Sequence, residues 1–148
     1  MKKYIIFFIG CLWSCDSSEP EIDQIYPEIA LVSPTPCQLF ERGKSYTFSA
    51  TFTDNLELGS YSFDFHDNFN HHSHGTSEES CVLDPKKVGE NPLELIKTGT
   101  IPAGQKEFKV NDVFEIPTNV DTGDYHFTIN LIDKAGWATI KRVGVKIK

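Results

Sequence analysis

The sequence predicts an all-β fold: an antiparallel β-sandwich of about seven short strands within residues 28–148. Three observations lead there. Apolar and polar residues alternate strictly in several runs, most cleanly at Ser45–Thr53 and Tyr125–Ile132. Turn-forming residues separate the runs, as at Asp54-Asn55, Gly123-Asp124 and Asp133-Lys134-Ala135-Gly136. No segment carries a 3.6-residue apolar period, so helices have nothing to bury.

The strands follow in order. Glu28–Val32 is a short β-prone run stopped by Ser33-Pro34-Thr35-Pro36. Ser45–Thr53 places Tyr46, Phe48, Ala50 and Phe52 on one face and Ser/Thr on the other, the pattern of a half-buried strand. Ser60–His66 repeats it, with Tyr61, Phe63 and Phe65 inward and Ser62, Asp64 and His66 outward. Asp67–Asn91 breaks the rhythm and reads as a long irregular loop. Leu93–Lys97 and Phe108–Ile116 are further strands, the latter ended by Pro117. Tyr125, Phe127, Ile129 and Leu131 then face one side, and His126, Thr128, Asn130 and Ile132 the other. Ala138–Ile147 closes the chain, and an apparent phase change near Arg142 suggests a bulge.

At 148 residues the chain suits one domain, and 11 Phe with 5 Tyr suffice for a core. Twenty-one acidic against 14 basic residues give a net charge of −7, so nucleic acid is a poor partner. Lys2 and Lys3, the apolar run Tyr4–Trp13 and the sequence Leu12-Trp13-Ser14-Cys15 resemble a bacterial lipoprotein signal peptide. That divides the chain into a signal at 1–14, an acidic tether at 15–27 and a domain at 28–148. Cys15 is the expected lipidation site; Cys11, after Phe8-Ile9-Gly10, would leave a shorter apolar run. The resemblance implies a lipid-anchored protein of the cell envelope, outer-membrane and either periplasmic or surface-exposed, with the membrane as a partner. Of the internal cysteines, Cys37 and Cys81 have no Cys-x-x-Cys neighbour and are expected to form a disulfide in an exported chain.

Four of the five histidines fall in His66-Asp67-Asn68-Phe69-Asn70-His71-His72-Ser73-His74-Gly75, and the fifth is His126. Neutral imidazole is the commonest protein metal ligand, so the cluster points to a metal site.

The strand and turn pattern, with Gly123-Asp124-Tyr125-His126-Phe127 near its end, resembles bacterial immunoglobulin-like domains, in which Tyr125 would be the corner tyrosine. The lipobox, this fold, the His-rich run and Gly-Asp-Tyr-His-Phe together resemble an uncharacterised Bacteroidetes lipoprotein family, a domain of unknown function with a His-rich loop. In an immunoglobulin-like sandwich the strand ending at His66 and the strand beginning at Tyr125 are antiparallel neighbours. With Leu58 near Asp133, opposed residue numbers sum to about 191, and alternation then selects His126, not Tyr125, to face His66. Opposed side chains have Cβ atoms about 5 Å apart, close enough to share one ion.

The expected ligands are His66, His72, His74 and His126, with His71 and Asp67 as less favoured members. Asp64 would orient a ring N–H. Imidazoles select zinc or copper over magnesium and calcium. Asp54, Asp121, Asp124 and Asp133 sit in turns, and turn chemistry explains them more simply than calcium does. Trp137 reads as core. No nucleophile elbow, phosphate loop, dinucleotide fingerprint or His-Glu-x-x-His is present, so no enzyme is expected. The expected function is transition-metal binding on a lipid anchor. The alternative is an adhesion or ligand-binding module whose His loop touches a protein or glycan.

Overall fold

A computed structural model describes residues 22–72 and 81–148. Within them the strands are β1 (Glu28–Ser33), β2 (Leu39–Phe40), β3 (Lys44–Thr53), β4 (Leu58–Asp67), β5 (Leu95–Thr100), β6 (Glu107–Ile116), β7 (Gly123–Asp133) and β8 (Ala138–Ile147). They form two sheets, β1-β3-β6 and β2-β8-β7-β4-β5. This is the arrangement of an immunoglobulin-like sandwich, in which hairpin-linked strands divide between two facing sheets. The chain crosses from one sheet to the other between β1 and β2, at Pro34-Thr35-Pro36, where proline cannot extend a ladder.

The alternating aromatics build the core. Phe48 and Phe52 of β3, Phe63 and Phe65 of β4 and Phe127 of β7 are all at most 1% exposed. Their rings meet at tilted or edge-on angles, for example Phe65 and Phe127 at 4.9 Å between centroids. Each such ring contributes roughly 1.5–3 kcal/mol of transfer free energy.

Eight strands replace the expected seven. β2 escapes the pattern because two residues cannot display a period; it pairs in parallel with the end of β8. β5 starts at Leu95 because Leu93, 5% exposed, plugs the core instead of pairing. The bulge expected near Arg142 is absent, since β7 and β8 pair without a shift from Gly123↔Ile147 to Ile132↔Ala138. Ile140 simply faces outward, 52% exposed. The bulge lies instead in β4, between Leu58 and Ser60. There Leu58↔Asp133 sums to 191 and Ser60↔Ile132 to 192, so Gly59 is the extra residue. A Cβ at Gly59 would stand 2.8 Å from the carbonyl oxygens of both Ile132 and Asp133, which is why only glycine fits.

Candidate metal centre

The one-residue step at Gly59 carries through to the other end of the ribbon, where His66 stands directly opposite His126. Both side chains point to the outer face of the sheet, away from the aromatic core. His126 is nevertheless only 1% exposed, whereas an uncovered sheet face would leave it solvated. The loop after β4 covers it.

That loop is tied down along its described length. Phe69, 4% exposed, packs edge-on against Tyr125 at 5.2 Å. The buried carboxylate of Asp124 accepts the Asp84 amide at 2.7 Å and meets the Lys146 amine at 2.8 Å, and Lys146 also reaches Asp84 at 2.6 Å. Burial alone would lower Lys146, but Asp124 and Asp84 outweigh it and hold the ammonium above the ordinary lysine value. The Asp121 carboxylate accepts the amides of Glu90 and Asn91. Tyr125 donates its hydroxyl to the Asp121 carbonyl at 2.7 Å and accepts the Leu93 amide, which makes it the corner tyrosine of the sandwich. Burial pushes its phenol up to about 12.

Cys37 and Cys81 form a disulfide with Cα atoms 5.4 Å apart. It lies over Gly144, whose position on β8 is directly opposite His126. A Cβ at Gly144 would sit 3.4 Å from the Cys81 sulfur. One row across the outer face therefore reads His66, His126, Gly144, with the disulfide in the space that glycine leaves.

His72 comes down onto this row from the loop. Its ring centroid lies 5.7 Å from that of His66 and 5.2 Å from that of His126, while His66 and His126 are 5.2 Å apart. One nitrogen from each ring lies within 4.8 Å of the others. Tetrahedral zinc wants such nitrogens about 3.3 Å apart, a closure within reach of side-chain rotation.

Two neighbours orient the rings. Asp64, two residues before His66 on the same face, places Oδ1 2.8 Å from His66 Nδ1. Asn70 Oδ1 stands 2.6 Å from His72 Nδ1. An acceptor at Nδ1 fixes the ring proton there and leaves Nε2 as the lone-pair nitrogen, the arrangement that supports metal-bound histidines elsewhere. Asp64 was legible from strand alternation; Asn70 was not, because an irregular loop sets no facing rule.

The other expected members separate from the cluster. His71 turns away with a φ of 59°, and its Nε2 donates to the Asp84 carbonyl at 2.9 Å, near Asp124. Asp67 falls on the opposite face of β4 from His66, where its carboxylate accepts the Phe69 amide at 3.4 Å. His74 and Cys15 lie outside the described residues.

A family model described as a domain of unknown function, DUF4625, matches residues 13–148. The chain belongs to the DUF4625 family. No curated protein matches the sequence. Among solved structures, this DUF4625 chain is similar to the GspB Siglec domain, at 19% identity and a TM-score of 0.47 over 85% of this chain and 59% of that one. It is also similar to Spo0M, a sporulation control protein from Bacillus subtilis, at 9% identity and a TM-score of 0.40 over 83% of this chain and 49% of that one. The chain thus spans 59% of the length of the first structure and 49% of the second.

Proposed function

We propose that this protein binds a single transition-metal ion, zinc or copper, through His66, His126 and His72, and does so as a lipid-anchored protein of the bacterial cell envelope. The observation that carries the reading is the convergence of three imidazoles, two from opposed strand positions and one from a loop tied over them. An all-imidazole set favours zinc or copper over hard cations. Strand residues give the site a rigid base, and the loop contributes the ligand that closes it. Binding would hold the loop between β4 and β5 against the sheet, so the metal serves handling, loop stabilisation or both. His74, in the same loop, is the natural candidate for a fourth ligand. Anchoring rests on Cys15 and the apolar run before it, and the resemblance to Bacteroidetes lipoproteins with a His-rich loop belongs with this proposal.

The test is elemental analysis of the protein purified without a polyhistidine tag, followed by zinc and copper titration. About one ion per chain is expected, with affinity falling at least ~100-fold when His66 and His126 are both changed to Gln, since two of the three ligands go. Metal content unchanged by that double substitution would sink the proposal.

A further inference from the structure

We propose that the opposite end of the sandwich holds a calcium ion between Asp23, Asp54 and Asp133. The three carboxylates come from three separate places: the segment before β1, the turn after β3 and the end of β7. One oxygen from each lies within 4.8 Å of the others. Calcium–oxygen bonds of about 2.3–2.6 Å let ligand oxygens lie up to roughly 5 Å apart, so oxygens this close can reach one ion.

Turn chemistry accounts for only half of the oxygens. Asp133 Oδ1 accepts the amides of Gly136 at 2.6 Å and Trp137 at 2.8 Å, which shapes the β7–β8 turn. Asp54 Oδ1 accepts the amides of Leu56 and Glu57 in the same way. The second oxygens are different. Asp133 is 4% exposed and its Oδ2 is buried with no hydrogen-bond partner; Asp54 Oδ2 is buried and equally unpartnered, as is the neighbouring Asn55 Oδ1. Among the described residues no ion pair reaches Asp23, Asp54 or Asp133. The Lys106 ammonium donates to the Asn55 backbone carbonyl at 2.8 Å and not to these carboxylates. Two carboxylates with buried, unpartnered oxygens, with that of Asp23 beside them, are costly without a cation between them.

The donor set selects the ion. Oxygen alone, in an irregular arrangement from three separate segments, suits calcium's flexible coordination of six to eight ligands better than the strict octahedron of magnesium. Histidine and thiolate are absent from the cluster, so zinc and copper have no preference for it.

The site also has a structural consequence. Asp23 belongs to the segment entering the domain, and that segment is already laid against the β7–β8 turn. Trp137 donates its indole N–H to the Asp23 carbonyl at 3.0 Å and packs at a tilt against Tyr26 at 4.9 Å between centroids, so it is a partly exposed clasp and not the core residue expected from sequence. Thr139 bonds the Pro27 carbonyl beside it. A calcium ion here fastens the leader to the domain, and it is independent of the histidine site.

Terbium, a luminescent substitute for calcium, tests this with Trp137 as the sensitiser. On the full chain, terbium emission should appear, be displaced by calcium and not by zinc, and millimolar calcium should raise Tm by roughly 5 °C. D133N and D54N keep the Oδ1 acceptors that build the turns but lose ligand charge, and D23N lies outside every strand. Each should raise the calcium concentration at half-effect about ten-fold or more, while H66Q/H126Q leaves it unchanged. No terbium emission and no calcium-dependent Tm shift in the folded wild type would overturn the proposal. So would a response that survives all three Asp substitutions, or one that magnesium reproduces at equal concentration.

Discussion

The two ends of the β4–β7 ribbon carry the same kind of convergence in opposite chemistry. At one end two opposed strand residues and a loop residue bring three nitrogens together; at the other, two turns and the entering chain bring three carboxylates together. About eight residues of β4 separate them, roughly 26 Å at strand rise. The nitrogen end is built on paired strands and covered by a disulfide-tied loop, so its base is rigid and its lid is fastened. The oxygen end is built on turns, and its third member comes from a segment held by one indole and a few backbone contacts. The difference teaches that one sheet can carry a nitrogen cluster on paired strands and an oxygen cluster on turns. What separates them is which residues the register and turns bring forward.

Breaking the disulfide should separate the ends most sharply. A C37S/C81S variant opens a loop of 44 residues' separation, for which chain entropy predicts a loss of about 4 kcal/mol. Guanidinium denaturation should show that loss, and zinc affinity should weaken because the loop presenting His72 is no longer tied over the His126 row. Calcium response at the far end should survive in the folded fraction. Equal weakening of both responses would mean that the ends are not separately supported.

Gly59 bears on both ends. Its bulge touches the Asp133 carbonyl at one end and sets His66 opposite His126 at the other. A G59A substitution forces a methyl against two backbone oxygens, at a cost of roughly 1–3 kcal/mol. It should weaken both metal responses together. Loss of only one would show that the bulge positions that end alone.

Much of this was legible in the sequence, and the gaps have physical causes. Period-2 alternation located β3, β4 and β7, because half-buried strands must alternate. Placing Leu58 by Asp133 was right, but the sum of 191 holds only there; beyond Gly59 it is 192. The clue was present in the inward residues Leu58 and Tyr61, which stand three apart where two or four is the rule. Alternation still chose His126 correctly, because a face is a stronger constraint than a count. His71, the less favoured alternative to His72, stands apart because its ring serves the Asp84 carbonyl, and nothing in a run of adjacent histidines says which will turn inward. Turn chemistry is the simpler sequence reading of Asp54 and Asp133, and each does satisfy it with one oxygen. That the other oxygen is buried, and that Asp23 joins it, requires the fold.

The most direct measurement is anomalous diffraction from crystals of the protein grown with zinc and calcium. The account predicts a peak at the zinc edge among His66, His72 and His126, and a separate calcium peak at longer wavelength among Asp23, Asp54 and Asp133. A zinc peak elsewhere, or none in crystals where the three imidazoles remain together, would contradict the assignment of the histidine end as a transition-metal site.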